Sequence, residues 1–97
     1  MSAEGIARVF EFRISAHAWG EMARRGISQS DVASVLNAPD QAFWVRPPRA
    51  LYQSVFVTGC PTRQFLLRVV VDLDRRPPVV VTAYRTSRVE KYWRSEQ

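Results

Sequence analysis

Cysteine, histidine and lysine are each reduced to a single residue in this 97-residue chain: Cys60, His17 and Lys91. A lone cysteine forms no intrachain disulfide, and one cysteine with one histidine is too few for a Cys/His metal centre. No metal and no other cofactor is therefore expected. Cys60 sits between Gly59 and Pro61 in a turn-like stretch, and nothing beside it in sequence would activate its thiol, so it receives no chemical role. No apolar run approaches the ~20 residues that cross a bilayer. Glu4 and Arg8 interrupt the N-terminal segment, which argues against a secretory signal. These absences point to a cytoplasmic protein with no membrane partner. The chain also lacks a glycine-rich phosphate loop, an internal repeat, a low-complexity tract and a domain linker.

The residues that remain are those of one globular domain spanning 1–97, with an ordered core over about 8–93 and looser ends at 1–7 and 94–97. The apolar share is 46%, ordinary for a folded domain of this size. Net charge is +5, and thirteen of the fourteen basic residues are arginine. Guanidinium grips phosphate in a bidentate fork and stacks on flat rings, so the surface suits nucleic acid or an acidic protein.

The clearest local signals lie between Ser15 and Leu36. Ser15 predicts an N-cap, and Gly26 the end of a first helix. Ser28, with Asp31 three residues on, predicts the start of a second. Asn37-Ala38-Pro39 ends it, because Pro39 disfavours helical angles at Ala38. On a helical wheel Ala18, Trp19, Met22 and Ala23 share a side expected to face the core. His17, Glu21 and Arg24 share the other side, with Arg25 at its border. That spacing is also the pattern of a solvated helix face carrying charge pairs.

Alternation predicts strands on either side of this hairpin. Arg8–Ile14 reads as a short strand with Arg8, Phe10, Phe12 and Ile14 on its buried face. Gln41–Arg46, ending at Pro47-Pro48, suits an edge strand. Ala50–Thr58, Gln64–Leu73 and Val79–Thr86 follow as an antiparallel meander with turns of about five residues. The predicted class is α+β: an N-terminal strand and two-helix hairpin packed on a mainly antiparallel sheet of about four strands. Phe65, Leu67, Val69, Val71 and Leu73 should face the helices, together with Val79, Val81 and Ala83. Arg68 and the row Thr82-Tyr84-Thr86 then share the opposite, half-polar face. Val89, Tyr92 and Trp93 recur at helical spacing and predict a short C-terminal helix. Its basic residues, interleaved with aromatics, resemble a nucleic-acid contact surface.

The segments ISAHAWGEMARRGISQSDVASVLNAP, LLRVVVD and VVVTAYRTSRVEKYW resemble the bacterial domain-of-unknown-function family 4258 over about residues 10–93. The family's helix motif runs approximately His-Ala-x-x-[Arg or other]-Met-x-x-Arg-Gly-Ile. Here His17, Ala18, Met22, Arg25, Gly26 and Ile27 carry it, with Glu21 where an arginine is often found. The C-terminal pattern falls on Thr82, Tyr84, Thr86, Lys91 and Tyr92. That family is distantly similar to the RelE-like toxins of the barnase–EndoU–colicin–RelE group of metal-independent ribonucleases.

The resemblance implies a RelE-like fold and an endoribonuclease toxin of a toxin–antitoxin pair. RNA is then the substrate, with or without the ribosome, and a cognate antitoxin the protein partner. Metal-free cleavage needs a base, an acid and cations around the phosphorane. The candidates are His17 as proton carrier, Arg25 and Arg68 on the phosphate, Tyr84 as hydrogen-bond or proton donor, and Thr86. Arg24, Arg46, Arg49, Arg85, Arg88 and Lys91 are the candidate nucleic-acid contacts. The alternative is a non-catalytic basic module of the same fold that binds nucleic acid or protein. Pairing through an edge strand would make it a homodimer.

Overall fold

The computed structural model describes residues 6–95. Elements follow in the order β1 (Arg13–Ile14), α1 (Ala16–Arg25), α2 (Gln29–Asn37), β2 (Gln41–Arg46), β3 (Arg49–Thr58), β4 (Arg63–Asp72), β5 (Val79–Thr86) and α3 (Val89–Tyr92). The fold is α+β. One five-stranded sheet has the spatial order β1-β5-β4-β3-β2, antiparallel except where β1 runs parallel to β5. The sheet is therefore mixed, with one strand more than the meander alone supplies.

The helices begin and end where side chains meet orphan backbone groups. The Ser15 hydroxyl accepts from Ala18 N–H at 3.0 Å, and Ser28 accepts from Asp31 N–H at 3.0 Å. Gly26 closes α1 in the left-handed region at φ 67°, a conformation that a Cβ would penalise. Val32, Val35 and Leu36 of α2 are fully buried. They meet Ala18, Met22, Tyr52, Leu67, Val69 and Val71 in one hydrophobic core on the helical side of the sheet. Phe65 and Leu73 pack against that core, as β4 alternation requires.

Several expectations fail for identifiable reasons. The strand expected over Arg8–Ile14 is only two residues long, because Val9 N–H bonds the Leu36 carbonyl at 2.9 Å instead of a strand neighbour. Val9 is accordingly buried and Phe10 is 69% exposed, the reverse of the predicted faces at these two positions, whereas Phe12 and Ile14 pack against the core as expected. Trp19 is 48% exposed and Ala23 is also exposed. The buried stripe of α1 is thus the narrow line Ala18–Met22, since this helix packs mainly on β5. In β5 the core residues are Val80 and Ala83, not the regular set Val79, Val81 and Ala83. Val70 pairs with Thr82 while Val71 pairs with Val80. Val81 is the extra residue of a bulge, which shifts the alternation.

The ordered chain extends past 8–93 at both ends. Ile6 joins the core, and the Ala7 carbonyl accepts from the buried Tyr52 hydroxyl at 2.7 Å. At the other end Arg94 N–H bonds Gln41 Oε1 at 3.1 Å. The remaining parts of the expected loose ends, 1–5 and 96–97, lie outside the described residues. No described helix is long and apolar enough to cross a membrane.

Candidate functional site

Because β1 pairs only with Val79 and Val80, the rest of that β5 edge has no strand neighbour among the described residues. Helix α1 passes beside it and leaves an open hollow of about 690 Å³, within the ~300–1,000 Å³ typical of small-molecule sites. From α1 come His17, Glu21 and Arg25; from β5, Thr82, Tyr84 and Arg85; from α3, Tyr92. The helical period places His17, Glu21 and Arg25 on one face, and strand parity brings Thr82 and Tyr84 to the same hollow. The His17 side chain is 69% exposed, so the imidazole is accessible to a ligand.

Glu21 is the electrostatic hub. Its carboxylate lies 2.6 Å from Arg24 Nη2, 3.0 Å from Arg25 Nη2 and 3.9 Å from His17 Nε2. The Arg24 hydrogen bond, reinforced by the charges of Arg24, Arg25 and His17, holds the Glu21 carboxyl below the usual carboxylate range. Glu21 therefore stays ionised near neutral pH and orients its cationic neighbours. Arg85 reaches across from β5 and donates from Nη2 to the Arg25 carbonyl at 2.5 Å. A cation on a terminal helix carbonyl satisfies an orphan acceptor and opposes the helix dipole. That bond ties strand and helix together at the groove.

Other predicted residues fall elsewhere. Thr86 Oγ1 accepts from Arg88 N–H at 3.1 Å, shaping the turn into α3 instead of lining the groove. Arg88 and Lys91 border a separate hollow with Gln64 and Glu90, although Lys91 Nζ also lies 5.3 Å from the Tyr92 ring centroid. Arg46 and Arg49 sit at the far end of the sheet. There Arg49 is committed to Asp72 through 2.8 and 3.1 Å hydrogen bonds, which hold the Asp72 carboxyl low. Arg68 lies behind the groove wall, its guanidinium 5.7 Å from the Tyr84 ring centroid and 4.3 Å from that of Tyr92. A larger hollow of about 960 Å³ opens between residues 7–11 and 73–78. It offers Arg8, Arg75 and Arg76 but no imidazole or phenol, so size does not mark the proton chemistry.

Glu21, Thr82 and Tyr92 complete the groove although none stood among the candidate site residues. Thr82 was readable, since it shares Tyr84's strand face. Tyr92 reaches the groove only through the path of the C-terminal segment, which no local pattern encodes. The half-polar sheet face is likewise not a solvated surface. Gln41, Phe43, Leu51, Gln53, Leu66 and Arg68 are all buried there, and the chain after β5 lies over part of it. The arrangement presents guanidinium donors, a phenol and an imidazole to one open space, a set able to hold a phosphodiester and to move protons.

A family model described as Domain of unknown function (DUF4258) matches residues 14–85. The match takes in both helices of the hairpin and all of the groove except Tyr92. No curated protein and no solved structure matches the chain.

Proposed function

The chain belongs to the family Domain of unknown function (DUF4258), and from that premise and the groove we propose a metal-independent endoribonuclease, the toxin of a toxin–antitoxin pair. The observation that carries the reading is the convergence of His17, Arg25, Tyr84 and Arg85 on one open hollow. Support also comes from the order of elements, helices before an antiparallel meander, which resembles that of RelE-like toxins. RNA is the proposed substrate, an antitoxin the proposed protein partner, and the cytoplasm the proposed setting.

In this reading the groove binds a phosphodiester against Arg25 and Arg85. The His17 imidazole accepts the 2′-hydroxyl proton as the 2′-oxygen attacks phosphorus. The two guanidinia neutralise charge on the phosphorane. The bond from phosphorus to the 5′-oxygen breaks, and Tyr84 gives its hydroxyl proton to the departing oxygen. The products are a 2′,3′-cyclic phosphate and a 5′-hydroxyl. The imidazolium then returns its proton to the phenolate through solvent. Arg24, Arg88 and Lys91 contact the flanking backbone.

Purified protein incubated with RNA in EDTA tests this directly, beside His17→Ala and Tyr84→Phe. Each substitution should slow cleavage by about 10²–10⁴-fold, the usual contribution of a positioned acid or base. Equal cleavage by all three proteins contradicts the reading. Intact RNA bound with a steep salt dependence instead identifies a non-catalytic basic module.

A further inference from the structure

Arg68 is the candidate phosphate ligand that does not line the groove, and its surroundings are poor for a cation. It is 7% exposed, and no ion pair joins it to a carboxylate among the described residues. Its Nε is buried without a hydrogen-bond partner. Burying a charge in this way is costly unless it is paired and hydrogen-bonded. The flanking Tyr84 and Tyr92 rings offset part of that cost. They engage the face of the guanidinium, however, and leave in-plane N–H donors for something else.

What covers Arg68 is lightly held. Register places Gln41, Gln53, Arg68 and Tyr84 in one row across β2, β3, β4 and β5, and the segment Val89–Arg94 lies along it. Helix α3 has no buried residue. Polar pins hold the segment instead, together with the Arg94 guanidinium stacked 3.6 Å from the Phe43 ring centroid. Gln53 Nε2 donates to the Tyr92 carbonyl at 3.2 Å, and Gln41 Nε2 to the Arg94 carbonyl at 2.5 Å. Arg94 N–H returns a bond to Gln41 Oε1. A segment fixed by a few hydrogen bonds and little apolar burial belongs to the low-stability part of a fold.

We propose that Arg68 is a masked phosphate-binding residue of the groove, and that Val89–Arg94 is a strap that carries Tyr92 aside to admit an RNA phosphodiester to its guanidinium. This rests on the RNA-groove reading and adds a regulated anchor to it. The strap-closed state competes with substrate, so apparent affinity scales with the fraction of molecules in which the strap is open.

Binding of an uncleavable 2′-O-methyl RNA octamer, followed by fluorescence anisotropy, tests the proposal in the full-length chain. Gln41→Ala removes two pins, and Gln53→Leu independently removes the one to the Tyr92 carbonyl; each should tighten binding by about threefold to tenfold. Arg68→Met should weaken it about tenfold or more, the worth of a charge-assisted hydrogen bond. The gain from Gln41→Ala should vanish when combined with Arg68→Met. The Arg68→Met protein should melt no lower than wild type, because an apolar side chain replaces an unpaired buried charge.

Wild-type affinity in Arg68→Met overturns the proposal, as does a Gln41→Ala gain that persists in the double variant. A lowered melting temperature with unchanged binding assigns Arg68 a purely structural role, bridged by water to the unpartnered Gln53 Oε1 opposite it, and overturns it too. The assay needs no cleavage. An Arg68 effect without nuclease activity leaves the anchor standing and the nuclease fallen; His17-dependent cleavage without an Arg68 effect does the reverse.

Discussion

At the scale of single residues, the structure separates polar groups with partners from polar groups that wait for one. Tyr52 is the satisfied case: fully buried, its hydroxyl bonded to the Ala7 carbonyl. Burial pushes its phenol up to about 12 from the usual 10. A folded-state pKa above the unfolded one stabilises the protein in full below pH 10, and that part is lost as pH rises through about 12. Tyr52→Phe should therefore cost about 1 kcal/mol near neutral pH, the net worth of one hydrogen bond. The gap between the two proteins should shrink between pH 10 and 12. Urea unfolding at a series of alkaline pH values measures both effects, and a gap that stays constant through that range contradicts the assignment. His17, Arg25 and Tyr84 were legible at this scale, because the helical period and the strand pleat each aim a side chain predictably. Arg68 was legible as a candidate, but its masking was not. Exposure there depends on a segment more than twenty residues away in sequence.

At the scale of elements, local chemistry explains what was readable and long-range pairing what was not. Ser15, Gly26 and Ser28 decide three of the four helix ends through bonds within three or four residues, and α2 stops at Asn37, where Pro39 predicts. The end of β2 and the start of β5 also follow from the prolines beside them, Pro47 and Pro78. The N-terminal strand was readable but not its extent: only Arg13–Ile14 pair with β5, and the alternation before them is overridden by the Val9–Leu36 bond. Nor was the bulge at Val81, which arises from the register against β4. Gly26 offers the sharpest check on the helix hairpin. A Cβ there would meet nothing closer than Arg85 Nη2 at 3.8 Å, so space is not the obstacle. The φ of 67° is the obstacle, and Gly26→Ala should cost about 1–2 kcal/mol through left-handed strain. It should also loosen the Arg85 bond to the Arg25 carbonyl. Chemical denaturation reads the first effect. If the substitution proves neutral, the cap does not hold α1 against β5 as described.

Across the whole molecule, the arginines divide by location. Arg25 and Arg85 line the groove, Arg24 flanks it on α1, and Arg88 and Lys91 stand at the start of α3 and within it. Arg46 and Arg49 occupy the far end, where Arg49 is already paired with Asp72. Composition revealed the charge but not this division, because placing each arginine requires the strand order. Salt titration of RNA binding distinguishes the two groups. Arg88→Ala and Lys91→Ala should each reduce the slope of log affinity against log salt by about 0.7, one phosphate contact on a single strand. Arg46→Ala should leave that slope unchanged; equal effects from both ends would place the RNA path elsewhere. The account depends most on phosphate sitting beside the imidazole, and having a single histidine makes that measurable. His17 supplies the protein's one imidazole Hε1 resonance. Titrating a 2′-O-methyl RNA octamer into the protein should move that resonance, saturating at the affinity found by anisotropy. A His17 signal unmoved by saturating RNA would contradict the account.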